Sequence, residues 1–341
     1  MGGSGVTAMS PIETKLVMDL PALAALEPQW WELWARCAKA TPFQSPAWLL
    51  SWWQEFHPGK LLCGTATVGG QLVALFPFYL EDDNKAAPRL LPIGISLSDY
   101  IDVLVDPNCP GAGDAVVKLM SDARWGSWSF EEMAPGSAAA DLACPKSSSD
   151  ALSRQETCPV LDIREARDVE SSVPARRRRQ LRRAWVLAAR LGEIHIRRCE
   201  ADSEHFLDQL FALHGARWRE REESGVLADR RVQNFHRAVL PRLSAAGLAR
   251  CYILALEGQP IGAYYGFTHN ERAYAYLGGF DPNFAEASPG AILVGHAIGD
   301  AIVEGAKEFH FLRGPEPYKY SWGARDRWNA RRVWTKALAH A

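Results

Sequence analysis

One order of predicted elements occurs twice in this chain, and no other feature limits the fold as much. Residues 61–68 and 72–80 flank Gly69-Gly70, a hairpin signal, and lead to a third short strand at 100–105, a helix at 112–123 and a strand at 128–132. Residues 248–256 and 261–268 flank a second hairpin turn at 257–260, followed by a strand at 272–280, a helix at 289–306 and a strand at 308–312. The loops match as well as the elements. Gly70-Gln71 answers Gly258-Gln259, Asp106-Pro107-Asn108 answers Asp281-Pro282-Asn283, and Pro110-Gly111-Ala112 answers Pro289-Gly290-Ala291. Each motif alone is common in loops, but three in one order read as a duplicated β-β-β-α-β unit. The expected fold is mixed-sheet α/β with two similar domains in tandem, which suits 341 residues.

The rest of the chain fits around these two units. Residues 1–11 are small and Gly/Ser-rich and read as a tail; 12–165 form the first domain, 166–200 a basic connecting helix, and 201–341 the second domain. Residues 22–56 are helical and rich in Trp, with breaks at Thr41-Pro42 and Ser45-Pro46. Ser45 suits an N-cap and Pro46 the first helical position. Trp48, Trp52, Trp53 and Phe56 then read as core aromatics. Residues 134–157, rich in Ala, Ser and Pro, read as a loop. A helix over 205–221 places Leu207, Phe211, His214 and Trp218 on one face.

Composition excludes several classes of function. With 38 basic and 40 acidic residues the net charge is −2, which gives no reason to expect DNA as a partner. No apolar run reaches the roughly 18 residues of a membrane helix, and no secretory signal opens the chain. The seven Cys are scattered without a CxxC pair, so reduced thiols, a cytoplasmic setting and no metal are expected. Neither a P-loop nor a GxSxG motif is present. The exception to neutrality is 174–198, with nine Arg (176–179, 182, 183, 190, 197 and 198) against the single acid Glu193. Three readings stay open for it: a helix solvated along one face, a patch for an anionic membrane at the inner face, or contact with tRNA or CoA phosphates.

The most informative chemistry lies between Arg272 and Ala306. Tyr274, Tyr276 and Gly278 share one face of a strand, and Gly278-Gly279 lets another extended chain approach its backbone. Ser288-Pro289-Gly290-Ala291 then opens a helix with Ser288 as a candidate N-cap. Its first-turn amides and positive helix end suit phosphates; an ordinary capped helix is the alternative.

This order of elements resembles the GNAT acyl-CoA N-acyltransferase fold. The strings PFQSPAWLLSWWQEF (42–56), SDYIDVLV (98–105), YAYLGGFDP (274–282), SPGAILVGHAI (288–298) and FLRGPEPYKYSWGA (311–324) resemble the CelD-like branch, a double-GNAT family related to Fem-type aminoacyltransferases. The resemblance implies two tandem GNAT domains, with acyl-CoA held by the second along Tyr276, Leu277, Gly278 and Gly279 and at Ser288, Pro289, Gly290 and Ala291. An amine acceptor between the domains is expected, and an amino sugar, a long-chain or sphingoid-type amine and an amino acid all stay open for it. Ser288-Pro289-Gly290 replaces the usual Arg/Gln-x-x-Gly-x-Gly/Ala loop. Aminoacyl-tRNA therefore stays open as a donor, and a non-catalytic role in polysaccharide biosynthesis as a function.

The candidate catalytic residues are Asp102, His214 and Lys319. Asp102, beside Asp99 and Tyr100, is a candidate to bind or deprotonate the acceptor amine, or else a solvated or capping carboxylate. His214 is either a core histidine or a base with Arg217 and Trp218 a turn away. Lys319, between Tyr318 and Tyr320, forms a cation–π contact, is solvated, or serves the donor or oxyanion as the Fem-type resemblance implies. Arg313 binds an acidic acceptor or phosphate, or pairs with Glu316.

Overall fold

Gly258, at φ +79°, makes the tight turn that lets Ala249–Leu256 and Gln259–His269 pair antiparallel, as the sequence predicts. The computed structural model describes residues 11–81, 87–220 and 224–336. It divides the chain into two units, one running up to Arg154 and resuming at Ala330, the other spanning Gln155–Asn329. All but Pro11 of the expected tail lies outside the described residues.

The second unit is built on six strands in the order Val160–Asp162, Glu308–His310, Arg272–Phe280, Gln259–His269, Ala249–Leu256, Ile194–Arg198. Every pairing is antiparallel except that of Arg272–Phe280 with Glu308–His310. Two packing details show which helix covers which face. A Cβ on Gly262 would meet Leu293 at 2.9 Å and Pro289 at 3.2 Å, so that face carries the helix Pro289–Val303. A Cβ on Gly279 would meet the backbone of His214, so that face carries the helix Ser203–Glu220. Gly279 lies opposite Ala263, the neighbour of Gly262, and successive residues point to opposite faces. The two helices therefore cover opposite faces of the sheet.

Two boundaries differ from expectation. The helix Ala175–Leu191 is no connector: Leu181, Ala184 and Ala188 are buried in the core of the second unit. A Cβ on Gly295 would lie 3.0 Å from Leu181, so this helix packs directly against Pro289–Val303. The strand Val160–Asp162, expected to close the first domain, pairs with Glu308–His310 instead.

The first unit contains a four-stranded sheet in the order Ile12–Val17, Cys63–Val68, Gln71–Phe76, Leu104–Val105. Its second sheet runs Lys60–Leu61, Phe78–Glu81, Arg89–Pro92, Ser127–Met133, Trp328–Lys336, Ser148–Thr157. Ser45 caps Pro46–Phe56 as expected, its hydroxyl accepting from the Trp48 amide at 3.3 Å. Trp48, Trp52 and Trp53 are buried. The predicted loop 134–157 instead contains the helix Ala138–Asp141 and the strand Ser148–Thr157. That strand is exposed along most of its length and has no apolar alternation to betray it. All seven cysteines are free thiols, and only Cys109 and Cys144 are more than slightly exposed. Among the described residues no helix is long and apolar enough to cross a membrane.

Candidate functional site

The site arises where two parallel strands part. Only Arg272–Tyr274 pairs with Glu308–His310, so residues 275–280 of the longer strand run on without that neighbour. The opening is a cleft of about 720 Å³, lined by Ala275, Tyr276, Leu277, Gly278, Gly279 and Phe280. The register with the strand Gln259–His269 shifts between Tyr265 and Gly266, leaving Tyr276 as the extra residue of a bulge at the start of the opening. The Tyr276 ring is taken up by packing against Tyr265, Phe267 and His236, so its backbone is the part left for the cleft.

On the face covered by Pro289–Val303, the cleft reaches Ser288, Pro289, Gly290 and Ala291. Ser288 corrects one expectation. It is left-handed (φ 51°) and makes no side-chain cap; its carbonyl accepts from the amides of Ala291 at 2.9 Å and Ile292 at 3.2 Å. The first turn thus opens without a side chain over it, and a Cβ on Gly290 would find its nearest neighbour, Phe280, at 3.7 Å. Arg177 lies on the same wall, its guanidinium 3.8 Å from the ring centroid of buried Trp322. Burial lowers its pKa to about 10, and its Nε is buried without a hydrogen-bond partner. Sequence reasoning took Arg177 for one arginine among nine. Its spacing to Leu181, Ala184 and Ala188, the buried stripe of its helix, was the signal that separates it from the others.

On the opposite face the helix Ser203–Glu220 brings His214, Arg217 and Trp218 to the cleft. The indole N–H of Trp218 donates to Nε2 of His214 at 2.8 Å, which leaves Nδ1 as the protonated nitrogen of the neutral ring. Burial, then the charge of Arg217, pushes His214 down to about 4. With low basicity and its acceptor nitrogen engaged, the imidazole is a neutral donor rather than a strong base. The Arg217 guanidinium sits 5.2 Å from the ring centroid of Phe280. Tyr318 faces the same cleft, and burial raises its phenol to about 12.

The remaining candidates lie elsewhere. Lys319 is 3% exposed and donates to the carbonyls of Leu312 (3.0 Å), Gly314 (3.1 Å) and Arg313, while pairing with Glu316 at 2.8 Å. Its donors are consumed in holding the turn before Pro317 and Tyr318, so it neither stacks on the neighbouring tyrosines nor lines the cleft. Arg313 contributes its backbone carbonyl to that turn, and the partner of Glu316 is Lys319. Asp99, Tyr100 and Asp102 belong to the first unit. Asp102 accepts from the amides of Val103 (2.8 Å), Ala138 (2.8 Å) and Ala139 (2.9 Å), the capping alternative. Tyr100 is buried against Phe43, and Asp99 is also buried. Of the basic segment, Arg182 pairs with Glu170, and Arg198 with Glu200 and Glu304. Among the described residues no group of three or more His, Cys, Asp or Glu could hold a metal ion.

Residues 175–320 match the family model described as an acetyltransferase (GNAT) domain. A GNAT-type acetyltransferase domain thus lies within the second unit. No curated protein matches the sequence. The fold is shared with FemX at 10% identity, over 89% of this chain and 95% of that one, with a TM-score of 0.61. It is also shared with a protein of unknown function from Bacteroides thetaiotaomicron (11% identity, 96% and 100% covered, TM-score 0.58). A third similar structure is the C-terminal domain of a putative lysylphosphatidylglycerol synthetase from Agrobacterium fabrum (11%, 76% and 80%, 0.51). The chain is thus a mixed α/β acyltransferase of two units, the second of which carries the GNAT domain.

Proposed function

We propose that the second unit transfers an acyl group from acyl-CoA to an amine. One observation carries this reading: the opening between the parting strands is bordered on one face by an uncapped helix start and Arg177, and on the other by His214, Arg217 and Trp218. A pantetheine arm laid along residues 275–280 would bond to strand backbone that lacks a parallel neighbour, with its phosphates at Ser288–Ala291 and Arg177. Its thioester would then face the acceptor through the gap. The amine attacks as the free base, the C–N bond forms, the C–S bond breaks, and the amine's proton passes to solvent. Tyr318, a phenol that is protonated at neutral pH, lines the cleft and is a candidate to give the departing thiolate a proton. Strand amides and the His214 N–H are the available donors to the developing oxyanion.

The strings resembling the CelD-like branch support the same class of reaction. Aminoacyl-tRNA is the second donor reading, favoured by the exposed arginines of Ala175–Leu191 and by the fold shared with FemX. Calorimetry with CoA decides between them. Gly290→Glu puts a carboxylate at the phosphate position, and CoA affinity should fall at least tenfold in a folded variant. Unchanged affinity would move the donor elsewhere.

A further inference from the structure

The helix Ala175–Leu191 has two faces, and packing accounts for only one of them. Leu181, Ala184 and Ala188 enter the core of the second unit. Arg176, Arg179, Arg183, Val186 and Arg190 follow one another at spacings of three and four, which sets them in a single row on the other side. All five are exposed. At the rise of an α-helix the row is about 21 Å long.

The charges of this row are not neutralised within the fold. Among the described residues none of its four arginines has a side-chain hydrogen bond or an ion pair. Arg178 and Arg182, on the next side of the helix, are instead held by the carbonyl and the carboxylate of Glu170. Asp168, also near the start of the helix, accepts from the Ser171 amide. Apolar groups are exposed in the same place. Val186 stands in the row at 51% exposure, and Trp185 (38%) and Leu191 (55%) flank it.

Two kinds of polyanion present phosphates to a row of guanidinium groups, a ribose–phosphate backbone and a layer of lipid headgroups. The first offers Val186 and Leu191 nothing apolar to enter. At a lipid surface the arginines stay with the phosphates while the apolar side chains reach the acyl boundary below them.

We propose that this face of Ala175–Leu191 docks on the headgroup layer of an anionic membrane. Arg176, Arg179, Arg183 and Arg190 meet lipid phosphates, and Val186, Trp185 and Leu191 enter the boundary beneath. The helix lies in the plane of the surface and keeps its buried stripe packed against Pro289–Val303. The docking uses no residue of the cleft, so it stands or falls apart from acyl transfer.

The test is co-sedimentation of the full chain with phosphatidylcholine vesicles, with and without phosphatidylglycerol. Binding should require phosphatidylglycerol and weaken as salt is raised, because salt screens exposed charges. Each basic residue near an anionic surface strengthens binding about fivefold, so Gln at the four arginine positions should weaken it about a hundredfold or more. Lys at the same four positions should retain it, which ties the loss to charge and not to folding. Val186→Ser with Leu191→Ser removes apolar surface without changing charge and should weaken vesicle binding at least tenfold. Failure to bind phosphatidylglycerol vesicles, or binding that survives the Gln variant, overturns the proposal. Binding of total tRNA that needs the four arginines, paired with vesicle binding indifferent to Val186 and Leu191, overturns it in favour of nucleic acid.

Discussion

The two units share a loop signature and diverge at the third strand. In the first, the Asp106 carboxylate accepts from the Asn108 amide at 2.9 Å; in the second, Asp281 accepts from Asn283 at 3.0 Å. Counting back from these aspartates, Val103 and Leu104 of the first unit occupy the places of Gly278 and Gly279. Both are 3% exposed, so buried side chains stand at the positions that the second unit leaves bare. The strand there is only Leu104–Val105, against nine residues in Arg272–Phe280. The helix that follows is also packed down: a Cβ on Gly113 would meet Leu142 at 2.9 Å and Val105 at 3.3 Å. The turns are alike and both helix starts lack a side-chain cap, so what sets the second unit apart is its longer third strand and the two side chains missing from it.

The largest effect should come from making the second unit resemble the first. Gly279→Leu sets a Cβ 2.3 Å from the His214 backbone nitrogen, which forces strand and helix apart. Overpacking of this kind costs about 3 kcal/mol, and CoA-thiol release should disappear. The reverse change, Leu104→Gly, costs a similar ~3 kcal/mol in core packing but should leave turnover per folded molecule unaltered. Thermal melts with thiol-release assays check both, and loss of turnover in Leu104→Gly would show that the first unit takes part in the chemistry.

Next in size is donor binding at the two helix starts. Beside the tenfold loss expected for Gly290→Glu, Gly111→Glu should bind CoA as well as the parent, since its nearest neighbour would be Ile12 at 3.9 Å. Calorimetric stoichiometry should be one CoA per chain. A second site sensitive to Gly111→Glu would make the units alike after all.

Acid should then separate the units. Burial holds His214, His269 and His310 at about 4 and His236 at about 3, against 6.5 for an ordinary histidine. As pH falls from about 6.5 toward 4 the unfolded chain takes up protons that the folded second unit refuses, so stability is lost across that window. Asp102 works in the opposite sense. Burial raises it from 3.8 to about 6, so the folded first unit binds that proton more tightly and gains stability over the same fall in pH. Asp150, lowered chiefly by its hydrogen bond to Arg332, and Glu308, lowered by His310 and Arg327, add acid sensitivity to each unit in turn. Hydrogen exchange read on peptides at pH 7 and pH 4.5 should show protection lost first between Gln155 and Asn329.

The smallest effect expected is that of Asp102→Asn. It turns one of the oxygens that accept from the Val103, Ala138 and Ala139 amides into a donor, at a cost of about 1 kcal/mol. Turnover with a saturating acceptor should not change; a selective rise in acceptor KM would return Asp102 to the site.

What was legible in the sequence follows from the range of the forces involved. Turns and caps are local, so the glycine hairpins and the Ser45 cap were visible, as was the pairing of Gly278-Gly279 with the Ser288 junction. Ile12–Val17 and Ser148–Thr157 are mostly exposed strands held by their neighbours' backbones, and hydrophobic periodicity has nothing to report there. Asp102 was ambiguous because two of its partners lie 36 and 37 residues away. Lys319 pointed to chemistry by its neighbours in sequence, whereas its amine is consumed by carbonyls brought round by the turn at Leu312 (φ 61°). Arg177 was hidden by its own kind: eight other arginines made its place on a buried stripe look like surface charge.

The first unit is interrupted by the second, and this sets a timetable for synthesis. Trp334, fully buried, puts its ring 5.1 Å from Trp128 and 4.8 Å from Phe130, and Arg332 reaches Asp150 at 2.7 Å. None of these contacts can form until the ribosome has made all of the second unit, roughly 10–35 s after Arg154 at ordinary elongation rates. The cleft-bearing unit, contiguous in the chain, can be complete while its N-terminal neighbour still waits for its last strand with an apolar face open. A released chain truncated after Asn329 should therefore keep the contiguous unit folded and leave the interrupted one without its last strand.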